Sequence, residues 1–276
     1  MMEIRTLAHV SLDSIVSCFL DAFSDYIVQM PTEVDYYRKR WHLAKVDYSL
    51  SYGAFVDDQL VGFIIHGIDN RGGHQTAFNT GTGVIPAYRG QRIVKQIYAF
   101  ALADLRSKGV SRSLLEVITS NDKAVRAYEG VGFQKVKTFH CYNGPFEVDA
   151  RIAFDCRLVE KTALQDSLLS LDHTYSWDFQ WNTIQAADYA YYTVFNPEGR
   201  RVGYFVFDAS KSTLVRFEVD RANQADSIIL FAAIKSLTTT LKINNVDAAL
   251  HYKVEALEAI HLPKVIDQYE MILDLD

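Results

Sequence analysis

The chain has 276 residues, 49% hydrophobic and 22% charged, with a formal net charge of −6. At roughly 100–200 residues per domain this length suits two domains or one large one, and the composition excludes wholesale disorder, collagen and coiled coil. The acidic balance shows no basic stripe for nucleic acid, and no apolar run reaches the roughly 18 residues of a membrane span.

Met1-Met2-Glu3-Ile4-Arg5 lacks a basic stretch followed by an apolar core, so no signal peptide and a cytoplasmic location are expected. Glu3 to Leu7 reads as a strand. Ser11 to Tyr26 carries apolar residues at Ile15, Phe19, Leu20 and Phe23, a helical period, with Ser11 as N-cap. Thr32 to Asp47 reads as a second helix capped by Thr32. The period then falls toward two. Tyr52–Val56 and Leu60–Ile65 are expected as strands joined at Asp57-Asp58-Gln59, and Thr76–Ile85 as a third strand ended by Pro86. Gln91–Lys108 is an amphipathic helix closed by Gly109. Ser113–Ile118 is a buried strand, Asn121–Glu129 a short helix and Gln134–Tyr142 a further strand. The order predicts a mixed α/β fold on one largely antiparallel sheet, with helices on both faces.

The second half repeats that order faintly. A hairpin, Tyr191–Phe195 and Arg201–Phe207, aligns Val202-Gly203-Tyr204 with Val61-Gly62-Phe63. A strand (Leu214–Val219), a helix (Ala225–Leu237), a strand near Val246–Leu250, a short helix near Val254–Ile260 and a strand at Tyr269–Leu273 follow. This predicts a degenerate tandem repeat, with domains at 1–150 and 160–276 and the boundary within Val148–Ser170. Cys18, Cys141 and Cys156 make neither metal spacing nor a disulfide framework and read as free thiols.

Chemistry concentrates at Val84-Ile85-Pro86-Ala87-Tyr88-Arg89-Gly90-Gln91-Arg92-Ile93-Val94. A strand runs into proline, and a basic turn then opens a helix whose first amides lack intrahelical acceptors. The helix dipole adds about half a positive charge there, so the segment can cradle a pyrophosphate, with Arg89, Arg92 and Lys95 nearby. It can equally be a plain turn with solvated basic residues. Farther on, Glu116 interrupts an apolar strand, and Asn121, Ala124, Tyr128, Gly132 and Phe133 follow in regular spacing.

Together these segments resemble the GNAT superfamily of N-acetyltransferases. The family's Asn-x-x-Ala-x-x-x-Tyr-x-x-x-Gly-Phe pattern is complete here. Its Arg/Gln-x-x-Gly-x-Gly/Ala loop is partial, because Arg92 and Val94 replace small residues. The resemblance covers about Leu50 to Tyr142. It implies acetyl-CoA as co-substrate, held by Thr82, Gly83 and Val84 along the acetyl-pantetheine arm and by Arg89, Gly90, Gln91, Arg92, Ile93 and Val94 at the pyrophosphate. Arg92, read within the helix Gln91–Lys108, can donate its N–H if its backbone is helical, and its guanidinium can reach a phosphate; Val94 is expected to add bulk on the sheet-facing side.

Asn121 is implied as a pantetheine ligand, or serves as the N-cap of its helix. Tyr128 is implied as the acid that protonates the thiolate, the alternative being a core tyrosine. Glu116 is implied as the base; an ion-paired glutamate or a water chain remains open, as do His66, His74 and His140. With Ala256 set against Ala124, Lys253 falls at the Asn121 place and Ile260 at the Tyr128 place. Asp220-Arg221-Ala222-Asn223 offers no glycine and an acid that repels phosphate, so no CoA site is expected in the second half.

The reading is an acetyl-CoA-dependent N-acetyltransferase acting directly on a primary amine of a small molecule or peptide, without metal. A non-catalytic CoA-binding sensor and a transferase of another acyl group are the alternatives. The negative charge and Tyr36, Tyr37 and Trp41 are compatible with a cationic amine. No nucleic-acid or membrane partner is expected. The second half is free to cover the first, shape the substrate groove or form a homodimer.

Overall fold

The computed structural model describes residues 2–26, 28–221 and 223–275; Ala222, named above, lies outside them. They form two compact units. The first holds Met1–Val117, Asn121–Val136 and Glu270–Asp276; the second holds Ile118–Ser120 and Lys137–Tyr269. A cut at 150–160 assigns residues 137–150 to the first half and 270–276 to the second, the reverse of this contact division.

In the first unit β1 (Met2–Thr6) is followed by α1 (Leu12–Ala22) and α2 (Val34–Leu43). Strands β2 (Tyr52–Val56), β3 (Gln59–Arg71) and β4 (His74–Val84) come next, then α3 (Ile93–Ser107), β5 (Arg112–Ile118), α4 (Asp122–Glu129) and the first residues of β6 (Gln134–Pro145). The order β1-β2-β3-β4 is antiparallel, and β4-β5 is parallel. Residues 270–274 line the far side of β5: Arg112 Nε pairs with Asp274 at 2.8 Å and Leu275 N–H donates to Ser111 O at 2.8 Å.

Ser11 caps α1 by accepting from Ser14 N–H, as its sequence suggests. Asp57 and Asp58 both take positive φ, 49° and 63°, giving the tight turn between β2 and β3. The glycines of β4 admit α1. A Cβ at Gly83 would stand 2.8 Å from Ala22 Cβ and from Phe63, and one at Gly81 would stand 3.1 Å from Phe19. Phe19 in turn stacks on Phe23 and Phe63 and meets Tyr37 and Trp41. Burying each such aromatic contributes about 1.5–3 kcal/mol, so the Gly-Thr-Gly stretch exchanges strand propensity for a closely seated helix.

The second unit contains β6 from Lys137, β7 (Asp155–Val159), α5 (Gln165–Ser170), α6 (Trp181–Ile184), β8 (Ala190–Phe195), β9 (Arg201–Asp208), β10 (Thr213–Val219), α7 (Gln224–Lys235), β11 (Thr240–Asp247), α8 (His251–Ala259) and β12 (Lys264–Asp274) to Tyr269. Strands β7-β8-β9-β10 are antiparallel, β10-β11 is parallel and β11-β6 is antiparallel. The repeat is visible in register. Gly62 opposes Val84 and Gly203 opposes Val219. Ile85 N–H donates to Val61 O at 3.0 Å, and Asp220 N–H donates to Val202 O at 2.9 Å. Both units are thus mixed α/β with a largely antiparallel sheet.

Several local expectations change. Thr32 does not cap α2; Glu33 stands at the cap without a side-chain bond, and Thr32 N–H instead donates to the Glu33 carboxylate. The strand placed near Val246–Leu250 is β11, which ends at Asp247, where Ala249 N–H meets the Asp247 carboxylate in a turn. Residues 155–184, read as boundary up to Ser170 and given no element beyond it, carry β7 and helices. Arg216, fully buried, holds them by donating to Asp172 Oδ1 (2.8 Å) and Leu168 O (2.8 Å). Tyr37 and Trp41 are core residues, each 2% exposed, which leaves Tyr36 as the exposed aromatic of α2. Cys18, Cys141 and Cys156 are free, and burial pushes the Cys18 thiol up to about 12. Among the described residues no helix is long and apolar enough to cross a membrane.

Candidate functional site

Pairing between β4 and β5 runs from Thr76–Arg112 to Asn79–Leu115 and stops there. At that point β4 carries a bulge: Ile65 opposes Gly81 while His66 opposes Asn79, so Thr80 is the extra residue. Thr80 Oγ1 is buried with no hydrogen-bond partner among the described residues. Beyond the bulge, β4 stays bonded to β3. Because Ile85 N–H donates to Val61 across β3, strand alternation turns the Thr82 and Val84 amides to the other edge, toward β5.

Asn79 anchors the bulge. Its Oδ1 accepts from Gly81 N–H at 3.1 Å; its Nδ2 donates to Thr82 Oγ1 at 2.6 Å and to the Tyr98 hydroxyl at 2.7 Å. Tyr98 comes from α3 and meets Tyr128 of α4 edge-on at 6.2 Å between ring centres. Phe133 packs against both rings. Burial pushes the Tyr128 phenol above its ordinary value, and hydrogen bonding from Thr82 and then Asn79 offsets part of that. Tyr26 is likewise raised by burial, with a hydrogen bond from the Asn121 side chain opposing the rise. The site therefore holds neutral phenols beside the edge of β4 that β5 has left.

At the end of β4, α3 starts without a side-chain cap. The amides of Ile93, Val94 and Lys95 have no acceptor within the helix, and the dipole adds partial positive charge. Arg92, its N-cap residue, takes φ 58° and ψ 28°, the left-handed conformation that glycine adopts without strain. Gly90 also has positive φ, 80°.

Residues 13–133 match the sequence profile of the acetyltransferase (GNAT) family. The first unit contains a GNAT acetyltransferase domain. No curated protein matches the chain by sequence. Among solved structures, a candidate acetyltransferase from Pyrococcus horikoshii is similar at a TM-score of 0.69 and 16% identity, covering 99% of this chain and 89% of that one. A tandem GNAT protein from the clavulanic acid biosynthesis pathway gives 0.69 at 11% identity, covering 100% and 99%. A GCN5-related N-acetyltransferase from Sphaerobacter thermophilus gives 0.67 at 11% identity, covering 99% and 96%. At these identities the likeness concerns the fold, which is a tandem of GNAT-like units.

Within the GNAT domain most of the residues singled out by sequence fall into two groups, with Arg89 and Glu116 apart from them. Thr82, Gly83, Val84, Asn121 and Tyr128 lie at or beside the end of β4 and the start of α4. Asn121 is the N-cap of α4, accepting from Ala124 N–H at 3.2 Å, and its side chain also reaches Tyr26. Gly90, Gln91, Arg92, Ile93 and Val94 form the turn into α3. Here two expectations change. Arg92 is left-handed rather than helical, and the sheet-facing residue is Ile93, which packs over Gly62, while Val94 is half-exposed.

Arg89 is committed elsewhere. Its guanidinium makes two bonds to Asp25, at 2.6 and 2.8 Å, and a third to Ala22 O at the end of α1, while its Nε donates to Val84 O at 3.1 Å. The same pairing holds the Asp25 carboxyl below its ordinary range. Arg89 thus ties the turn to α1, and the net positive charge at the turn comes from Arg92, Lys95 and the helix itself.

Glu116 is half-buried on β5, on the face opposite Leu115 and Val117. The three candidate histidines each have a partner. His66 is fully buried, its Nδ1 is 2.7 Å from Leu50 O, and burial lowers it to about 4, so its ring is neutral. His74 contacts Ser111, and His140, in the second unit, pairs with Asp267 at 2.7 Å. Sequence reading missed Asn79, Tyr98, Tyr26 and Asp25. The signal for Asn79 was present: a polar residue opening an Asn-Thr-Gly-Thr-Gly break inside an apolar strand.

Proposed function

We propose that the first unit transfers an acetyl group from acetyl-CoA directly to a primary amine. The observation that carries this is the neutral Tyr128 phenol beside Thr82, where β4 and β5 stop pairing, one strand end away from the uncapped start of α3. The donor set suits acetyl-CoA: open main-chain amides along β4 for an amide-bearing arm, and a helix start with Arg92 for a pyrophosphate. When bound, acetyl-CoA supplies the activated thioester.

The chain's own residues do the rest. Main-chain groups of Thr82, Gly83 and Val84 orient the arm, and the Val84 N–H points to the side where a thioester oxygen would lie. Glu116, or water beside it, removes the amine proton. Tyr128 gives its proton to the sulfur, a role that a phenol held above its ordinary pKa can fill at neutral pH. Asn121 serves α4 as a cap and remains within reach of the arm. The left-handed Arg92 supports a working loop: the turn keeps the glycine-type conformation although the glycine is absent.

The second unit, by this reading, holds no CoA. The start of α7 is capped by Asn223, which accepts from Asp226 N–H at 2.9 Å. Asp226, in its first turn and 2% exposed, is paired with Arg200 at 2.7 Å. An internal anion already stands at that helix start. A screen of thiol release from acetyl-CoA with polyamines, aminoglycosides, amino acids and peptides tests the proposal. Turnover with at least one amine is expected; acetyl-CoA that neither binds nor turns over would remove it.

A further inference from the structure

Gly62 opposes Val84, and Ile85 N–H reaches past that pair to Val61 O at 3.0 Å. Two residues paired in this way exchange no bonds, so the N–H and the C=O of Val84 both face the open edge of β4. They present opposite polarity to a ligand: the N–H attracts a thioester oxygen, and the C=O beside it repels one. Arg89 occupies the C=O. Its Nε donates to Val84 O at 3.1 Å, returning from the far end of the one-turn helix Pro86–Tyr88.

The guanidinium is itself held in place. Nη1 and Nη2 donate to the two Asp25 oxygens at 2.6 and 2.8 Å, and Nη2 also donates to Ala22 O at 2.9 Å. With Nε, four of its five N–H donors are engaged. An exposed ion pair alone contributes little. Here a bidentate fork on a carboxylate, together with two main-chain oxygens, fixes the plane of the group as well as its charge. Ala22 is the last residue of α1, whose terminal carbonyls lack intrahelical partners and favour a cation.

We infer that Arg89 and Asp25 are positioning residues for the Val84 edge: Asp25 and Ala22 fix the guanidinium, and the guanidinium covers the Val84 carbonyl, so that β4 offers a thioester only a donor at this point. This role rests on the proposed function, which sets the thioester oxygen on the side of the Val84 N–H. As negative charge grows on that oxygen during attack by the amine, a covered carbonyl no longer opposes it. Arg89 acts through Val84 and leaves the phosphates to Arg92, Lys95 and the start of α3.

The test compares turnover with affinity. Arg89→Met removes every donor. Its kcat should fall about tenfold, less than the 10²–10³ lost with a direct oxyanion donor, while acetyl-CoA affinity by calorimetry changes little. Asp25→Asn should lower kcat in the same direction and add no further loss to Arg89→Met. Arg89→Lys retains the charge without the fork and should behave as Arg89→Met does. Unchanged kcat in a folded Arg89→Met protein, or full activity with lysine, overturns the inference. So does an acetyl-CoA affinity that drops with Arg89→Met and rises with Asp25→Asn, the pattern of a phosphate ligand released from its carboxylate.

Carbon NMR of the ligand-free protein gives a reading independent of turnover. The Val84 carbonyl resonance should move upfield in Arg89→Met and in Asp25→Asn as its donor is lost or loosened. An unmoved resonance in Arg89→Met overturns the positioning role. Absence of turnover in the parent would instead remove the proposed activity, while the resonance still decides whether Arg89 covers Val84.

Discussion

The parallel pairs β4–β5 and β10–β11 are the same device built twice, and they have been put to different uses. In the second unit registered pairing is confined to Thr213–Lys242, after which the strands part. Side chains of the unit itself enter there. Tyr175 hydrogen-bonds Phe217 O at 2.9 Å and Glu218 Oε1 at 2.8 Å, Lys253 Nζ donates to both Tyr175 and Glu218, and Asn245 donates to Ser176. By the shared register Phe217 is the counterpart of Thr82. In the first unit, among the described residues, no side chain bonds the main chain of Thr82 or Gly83. One strand edge is satisfied by a tyrosine of its own unit; the other is the edge proposed above to take acetyl-CoA.

The helices that follow show the same divergence. Asn121 and Leu250 cap α4 and α8 with nearly identical backbones, φ −87° and ψ 66° against φ −86° and ψ 70°. Aligned at these caps, Tyr128 corresponds to Leu257. The sequence alignment through Ala124 and Ala256, which set Lys253 against Asn121 and Ile260 against Tyr128, is therefore three residues out. Lys253 is inside α8 and Ile260 is its C-cap. Leucine has no proton to give, and the phenol of the first unit has been replaced by packing.

The largest expected effect tests the unit proposed to be active. Tyr128→Phe removes one hydroxyl, as a first step toward the leucine of the second unit. Turnover should fall by roughly 10²–10⁴, with melting temperature and acetyl-CoA affinity nearly unchanged. Lost stability with little rate effect would make Tyr128 a core residue instead.

Next comes the filled wedge. Lys253 is buried, and desolvation, outweighing Glu218, lowers it to about 8. Lys253→Met leaves Glu218 buried without its cation and should cost about 3–5 kcal/mol in unfolding free energy. Acetyl-CoA affinity should not change, and calorimetry on the folded variant checks both. A change in affinity would place Lys253 in a ligand site.

A smaller change brings the first unit toward the second. Gly90→Asp puts an acid beside the start of α3, as Asp226 stands at the start of α7. Acetyl-CoA binding should weaken more than tenfold, or about 1.4 kcal/mol, by titration calorimetry. Unchanged affinity would show that phosphate does not sit at this turn. Smallest is Arg92→Gly. Its left-handed backbone suits glycine, and the variant should unfold about 1 kcal/mol less readily. A lower melting temperature would mean that the arginine side chain outweighs its backbone strain.

These contrasts also explain what sequence could and could not disclose. Element order, the Asn121–Tyr128 spacing and the Val-Gly repeat at Gly62 and Gly203 were legible, because strand and helix periods and turn residues are local. Three things were not. Arg89 reads as a phosphate ligand until Asp25, 64 positions earlier, is seen to hold it. The helical reading of Arg92 follows ordinary propensity, which the turn overrides. The plug at Tyr175 lies in a segment without clear periodicity, and its meaning depends on a contact with Phe217, 42 positions later.

The central claim is that one unit of this tandem binds acetyl-CoA and the other is filled by its own side chains. Titration calorimetry of the full chain with acetyl-CoA measures this directly. The account predicts a stoichiometry of one per chain, abolished or strongly weakened by Gly90→Asp and retained in Lys253→Met. Two molecules per chain, or one that persists through Gly90→Asp and is lost in Lys253→Met, would contradict it.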